Sequence, residues 1–393
     1  MAKPRERGAN PFEYGQAVAP ATLVDRADEL RRVVDTVMSG GRLFLIGPRR
    51  YGKTSLLNLA ETQLAKEGVA VLRVDAEKFE TPELLAKALL AAAVRTLGGP
   101  VDRVGRTMKT LFGTLRPDIA YNLEDHSVSV SFNVRRDQTA SDIPLVTDVL
   151  DGINTLAKAR HTRTVVVIDE FQQLVNEGGI TAERQLRSVV QTHRHLSYVF
   201  AGSKTRLLID MTSDHARPFY KLGAALVLGP VPREDFRIFL SRGFAAGGAA
   251  VTPDGVERIL DLAEDVPYNV QRLASRCWDL LGAAPKTPTL DVAFVDSALE
   301  RVVREDDAIY TQLWVSLTEV QKKSLKAVIA ERGTQLMSQR VAQEYRVGPS
   351  SMQLALKALD RRGIVRDEQS LGTVHVRLED PFFAAWLRVS QRT

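Results

Sequence analysis

The 393-residue chain has a single cysteine, Cys277, so no disulfide framework can form within it. That suits a reducing compartment, and Cys277, beside Trp278 in a helical stretch, reads as a small buried apolar residue. Histidine is scarce and scattered over His126, His161, His193, His195, His215 and His375. The pair His193-x-His195 lacks a third ligand, which argues against a structural zinc site. Glu124, Asp125 and His126 read as a solvated turn, and sequence order offers no Ser-His-Asp arrangement. No apolar run reaches the length that spans a bilayer, and no apolar signal core follows Met1-Ala2-Lys3-Pro4-Arg5-Glu6-Arg7. The expectation is a cytoplasmic protein with no membrane partner. Internal repeats and low-complexity segments are absent too.

What the chain does have is apolar material for several cores: 44% hydrophobic residues over this length predict two or three domains. The most informative stretch is Gly47-Pro48-Arg49-Arg50-Tyr51-Gly52-Lys53-Thr54, which fits G-x-x-x-x-G-K-[ST]. Before it, Arg42-Leu43-Phe44-Leu45-Ile46 suits a buried parallel strand. After it, Lys53 to Lys66 reads as a helix with Leu56, Leu57, Leu59, Ala60 and Leu64 on its apolar face. Strand, glycine loop and helix in that order aim backbone N–H groups and a helix's positive end at one anion. Gly47 to Ser55 is therefore the expected cradle of a nucleoside triphosphate. Gly47 and Gly52 permit close phosphate approach, Lys53 reaches the β- and γ-phosphates, and the Thr54 hydroxyl ligates Mg²⁺. Arg49 and Arg50 face either a neighbouring subunit, a nucleic acid or solvent.

A second signature is Thr164-Val165-Val166-Val167-Ile168-Asp169-Glu170-Phe171, a β-branched run ending in two acids. Such a run suits a strand buried on both faces, which delivers Asp169 to the sheet's C-terminal edge. Asp169 is placed to hold Mg²⁺, directly or through water, and Glu170 to orient the attacking water. Paired with the glycine loop, these acids favour hydrolysis over binding alone.

Along the chain, residues 1–20 read as an irregular arm and 21–230 as an α/β core. Residues 231–305 read as a helical lid and 306–393 as a winged-helix domain. Within the core, a helix is expected over Asp25 to Met38 and strands over Val69 to Val74, Ser197 to Ala201 and Ala224 to Leu228. Thr81-Pro82-Glu83 is a helix start. Alternation at Val128, Val130, Phe132 and Val134 suggests an inserted hairpin within Asp118 to Val134. From Pro232 to Leu281 the pattern is helical, and Pro285 and Pro288 mark a break.

Near the end, Thr318-x-x-Gln321 fits a capping box, and three helices followed by two strands predict a winged helix. Residues 310–393 hold 13 Lys and Arg against 8 Asp and Glu, so the chain's whole net charge of +5 resides there. On the third helix Gln353, Lys357 and Arg361 are the groove-facing candidates for double-stranded DNA, with Arg362, Arg366 and Arg377 nearer the backbone. A protein-docking module or a rigid spacer is the competing use of such a domain.

Ile46-Gly47-Pro48-Arg49-Arg50-Tyr51-Gly52-Lys53-Thr54-Ser55-Leu56, Ile168-Asp169-Glu170-Phe171-Gln172 and Gly202-Ser203 together resemble one AAA+ group. These are the ATPases widespread in archaea and also found in bacteria, related to the STAND signalling ATPases and the origin-recognition ATPases. Asn10-Pro11-Phe12, Arg217-Pro218-Phe219-Tyr220 and Asp380-Pro381-Phe382-Phe383-x-x-Trp386-Leu387 resemble looser marks of the same group. The resemblance implies a three-layer α/β P-loop NTPase with a parallel sheet, a helical lid and a C-terminal winged helix-turn-helix domain. It implies ATP rather than GTP as the nucleotide, with Mg²⁺. Ser203 falls where such ATPases sense the γ-phosphate, with Lys204 beside it, and Arg217 where an arginine finger acts. Pro267 matches the proline of the STAND Gly-x-Pro motif, although Asp265 replaces the glycine. Arg272 corresponds to a lid residue that reaches the phosphates. Three readings follow: a DNA-associated ATPase, a STAND-like switch with protein partners, or a nucleotide-gated transcription regulator. Homo-oligomers are compatible with each.

Overall fold

The computed structural model describes residues 9–15, 24, 26–97, 117–121, 128–132, 143–283, 289–370 and 373–390. The turn at Glu124 to His126, the prolines Pro285 and Pro288, and most of the expected arm lie outside them. The chain divides into two compact units, residues 17–229 and residues 1–16 with 230–393.

The first unit opens with α1 (Ala27–Met38), β1 (Arg42–Ile46), α2 (Lys53–Lys66), β2 (Ala70–Asp75) and α3 (Pro82–Leu97). An antiparallel pair follows, β3 (Pro117–Tyr121) and β4 (Val128–Phe132), where alternation predicted a hairpin. Then come α4 (Ile143–Arg160), β5 (Thr164–Asp169), α5 (Gln172–Val190), β6 (Leu196–Gly202), α6 (Thr205–Ser213) and β7 (Ala224–Val227). Helix α5 is interrupted at Gly179, whose φ of 54° and ψ of −148° only glycine adopts without strain. Five strands form one parallel sheet in the order β2-β5-β6-β1-β7.

Side chains that alternate along these strands separate the core into two layers. Leu43, Leu45, Val165, Val167, Val199 and Ala201 pack with Val33, Val37, Leu56 and Leu64 of α1 and α2. Phe44, Ile46, Leu72, Val166, Ile168 and Phe200 pack with helices α3 to α6 on the opposite face. There Phe44 stacks on Phe200 at 5.1 Å, and Phe171 meets Phe219 edge-on at 5.5 Å. Helices on both faces of a parallel sheet make the expected three-layer α/β architecture.

The second unit contains α7 (Arg233–Ala246), α8 (Pro253–Ala263), α9 (Pro267–Ala283) and α10 (Val292–Glu305). The winged helix follows: α11 (Asp307–Val315), α12 (Glu319–Ala330), α13 (Gln339–Tyr345), α14 (Pro349–Arg361), the antiparallel strands β8 (Val365–Ser370) and β9 (Thr373–Leu378), and α15 (Pro381–Ser390). Thr318 and Gln321 form the capping box at α12. Helices α11 and α15 add to the three helices that patterning alone suggested. Only Asp306 separates α10 from α11, and the boundary expected at 305/306 lies inside this unit. Tyr310, Phe383 and Trp386 pack together, and Trp386 donates to Asp307 at 2.7 Å, which pins α15 onto α11. The early residues Asn10 and Phe12 belong here: Phe12 is buried among Phe239, Phe244 and Trp278, and Asn10 donates to Ser275. Cys277 is fully buried, and that burial raises its thiol pKa. Among the described residues no helix is long and apolar enough to cross a membrane, and no group of His, Cys, Asp or Glu could hold a metal ion by itself.

Candidate nucleotide site

The glycine loop joins the C-terminal end of β1 to the start of α2. Gly47 donates its N–H to Gly202 O at 3.3 Å, which ties the loop to the end of β6. A Cβ on Gly47 would stand 2.9 Å from Leu228 Cβ, so the crossing of loop and post-β7 chain excludes a side chain. Gly52, with φ of 85°, is the residue before α2 and turns the loop into the helix. The Lys53 side chain is buried inside the arch, its ammonium donating to Gly47 O at 2.8 Å and Pro48 O at 3.0 Å. Thr54 is exposed at the helix's positive end, whereas Ser55 is buried beneath it. Arg49 reaches away to pair with Glu77 at 2.8 Å, and Tyr51 is buried against the core.

Asp169 is the last residue of β5, in register with Asp75 of β2. Its carboxylate is nearly buried and accepts from Arg73 at 3.0 Å and from the Glu170 N–H at 3.1 Å. Arg73 is anchored in turn by Asn58 on α2 at 2.5 Å. Glu170 has a φ of 49°, a left-handed turn that redirects the chain from strand to helix. Its carboxylate accepts from Ser203 Oγ at 2.7 Å, from Ser203 N at 3.3 Å and from the Gln172 amide. Burial alone would raise the pKa of Glu170. Hydrogen bonds from Gln172 and Ser203, with the charge of Lys53, outweigh it and leave the pKa below the ordinary value. Glu170 is therefore an ionised, immobilised acceptor.

Gln172 and Arg73 were not singled out as site residues from sequence. The signals were present: a glutamine two residues after the acid pair, and a lone cation within a strand otherwise suited to burial. Gly202 completes the clamp, since a Cβ there would collide with Gln172 Oε1 and stand 2.6 Å from Leu208 Cδ1.

The structure thus gathers the loop, Asp169, Glu170 and Ser203 at the C-terminal edge of the sheet. Arg217 is not part of this group within one chain. It pairs with the buried carboxylate of Glu183, about three turns along α5, donating from Nε at 3.1 Å. Arg187 clasps the same turn by donating to Pro218 O and Tyr220 O. Pro267 and Arg272 belong to the second unit. Pro267 begins α9 after two left-handed residues, Glu264 and Asp265, and Asp265 accepts from Arg233 at 2.9 Å. Arg272 pairs with Asp306 at 2.7 Å and lies over the ring of Phe382.

On α14, Met352, Ala355, Leu356 and Leu359 face the core, while Gln353, Lys357 and Arg361 lie exposed on the outer side. The other basic candidates are engaged nearby. Arg362 donates to Ser316 Oγ at 2.6 Å, Arg377 to Glu368 at 3.2 Å and Arg366 to Leu378 O at 2.7 Å.

With this geometry in view, a family model described as "AAA domain" matches residues 37–208, and one described as "Probable winged helix domain" matches residues 308–389. No curated protein matches the chain. Among solved structures, it is similar to a Walker-type ATPase of Pyrococcus abyssi, with 17% identity, 96% of this chain and 99% of that one covered, and a TM-score of 0.62. It is also similar to the Aeropyrum pernix ORC2 protein in its ADPNP–ADP complexes, with 17% identity, 98% and 99% covered, and a TM-score of 0.55. At such identities the likeness is one of fold.

Proposed function

We propose, on the premise that the chain joins an AAA domain to a C-terminal winged helix domain, that it is a Mg²⁺-dependent ATPase whose winged helix contacts duplex DNA. The observation that carries the catalytic half is the clamp on Glu170. Its carboxylate is held ionised by Ser203 and Gln172 within the field of Lys53. A carboxylate fixed in this way polarises a water without reorganising during the reaction. Lys53 supplies the positive charge for the β- and γ-phosphates, and the N–H groups of the loop and α2 complete the anion site. Thr54 and Asp169 offer a neutral and an anionic oxygen, a donor set that fits Mg²⁺, which takes few protein ligands alongside phosphate oxygens. Bound there, Mg²⁺ would neutralise charge on the phosphates. Ser203, bridging Glu170 and the end of β6, is the side chain suited to report the γ-phosphate. Arg217 would serve as a finger, within its own chain or toward a second copy, only on leaving the Glu183 carboxylate that now holds it.

The DNA half rests on Gln353, Lys357 and Arg361, exposed on one face of α14 at the end of the chain that carries the net charge. A second reading, a switch docking protein partners, is favoured by the wing, where Arg366 and Arg377 are taken up by Glu379 and Glu368. The deciding experiment is ATP turnover with and without duplex DNA, with Lys53→Ala and Glu170→Gln as controls. Turnover stimulated by DNA and lost in both variants is expected. Slow turnover indifferent to DNA would support the docking reading, and none in the wild type under any condition would sink hydrolysis.

A further inference from the structure

At the opposite end of the sheet, where β5 and β6 begin, a cavity of ≈ 500 Å³ opens between the last turns of α1 and α4. It falls within the roughly 300–1,000 Å³ range typical of small-ligand sites. Lys158, His161, Arg163, Arg194 and His195 line it, and no carboxylate does. Among the described residues none of these five forms an ion pair. Several other cations of this unit do have carboxylate partners, as Arg26 has Glu29, Arg49 Glu77, Arg73 Asp169, Lys87 Glu83 and Arg217 Glu183. The dipole at the end of α4 accounts for Lys158 alone. Arg163, Arg194 and His195 lie on connections between elements, where no helix end calls for them.

The unmatched charges of Lys158, Arg163 and Arg194 around one concavity repel each other, and an anion placed among them relieves that repulsion. One further feature narrows the class: the lining holds no Phe, Tyr or Trp ring on which a base could stack, and its buried part is mostly aliphatic (Val37, Val69, Ala157 and Leu196). We propose that this cavity is a second anion site, distinct from the glycine loop, that takes a small ligand carrying two or more phosphate groups. Thr164 and Leu196 at its floor are the first residues of β5 and β6. The same strands end at Asp169 and Gly202, so an occupant would rest on the supports of the nucleotide site.

The test uses the full chain with Lys53→Ala, so that the loop does not compete for the probe, and titrates tripolyphosphate calorimetrically at low salt. One equivalent is expected to bind. Adding Lys158→Ser, Arg163→Ser and Arg194→Ser should weaken it by at least about tenfold, because charge-assisted contacts to phosphate are lost. These side chains are exposed and unpaired, so the fold should survive, and Arg194→Ser alone provides a milder check. No binding to the Lys53→Ala protein, or binding indifferent to the added substitutions, would overturn the proposal. So would a weaker affinity for duplex DNA in the substituted protein without any tripolyphosphate binding, which would make the patch a nucleic-acid contact. ATP binding by the wild-type protein is measured separately, so failure here leaves the nucleotide-site reading untouched.

Discussion

The nucleotide end of the sheet and the outer face of α14 carry similar residues in opposite states. At the first, Lys53 rests on the carbonyls of its own loop, Asp169 is held by Arg73, and Glu170 is held by Ser203 and Gln172. At the second, Gln353, Lys357 and Arg361 stand exposed with no ion pair among the described residues. Groups fixed in advance suit chemistry, because nothing must reorganise as charge develops. Exposed cations on a helix face suit a long polyanion, whose counterions they displace with little demand on geometry. The contrast therefore predicts that single substitutions act steeply at one end and gradually at the other.

The steepest is Lys53→Ala. It removes the buried ammonium of the loop and should lower ATP turnover by a factor on the order of a thousand. A steady-state phosphate-release assay reads it directly, and near-normal turnover would break the comparison at its stronger end.

Arg217→Ala comes next, and its effect should appear as stability. Without the guanidinium, the Glu183 carboxylate is left buried and unpaired, a loss of about 3 kcal/mol. Thermal denaturation should show a clearly lower Tm, largely restored when Glu183→Leu is added. An unchanged Tm with lost turnover would instead assign Arg217 to a nucleotide.

Gly202→Ala tests the clamp. The added methyl group must displace Gln172 or Leu208, at a cost of about 1–3 kcal/mol. Because Gln172 holds Glu170, turnover should fall by roughly tenfold while nucleotide affinity changes little. Equal losses in both would mean that the whole site had shifted.

These cases show which information was legible in the sequence. The loop, the acid pair and the winged helix are local patterns, and the structure places them as the patterns imply. The strands that align them are apolar runs of high β-propensity, so the three-layer architecture was legible as well. Partners were harder to read. Arg73 lies 96 residues from Asp169, and Ser203 lies 33 from Glu170, separations that only the sheet order brings together. Arg217 carried a family mark, yet its partner Glu183 lies 34 residues away on α5. Helix α15 was visible as a motif but not as the element that pins α11.

At the gradual end, Lys357→Ala and Arg361→Ala should each weaken duplex binding only several-fold. Each should reduce the slope of log affinity against log salt by about one unit. Fluorescence anisotropy across a salt series measures this. A steep loss without a change in slope would mean a base-reading contact in place of a phosphate contact.

The smallest expected effect lies at His193, on the connection that leads into β6. Its Nε2 lies 2.8 Å from Asp151 and its Nδ1 2.5 Å from Tyr198, with Arg42 nearby. Burial lowers its pKa, and the charge of Arg42 adds to that. Asp151 opposes both through its hydrogen bond and its charge, but the net pKa is below the ordinary 6.5. A depressed imidazole pKa means that the unfolded chain takes up a proton the folded chain resists. Its stabilising contribution is therefore complete above pH 6.5 and is lost as pH falls from there through the folded-state value. Thermal melts of wild type and His193→Gln between neutral and mildly acidic pH should differ in slope, with the wild type losing Tm faster on acidification. Parallel slopes would show that Asp151 cancels the effect of burial, and a wild type that gains Tm on acidification would show that Asp151 prevails and keeps the imidazole charged.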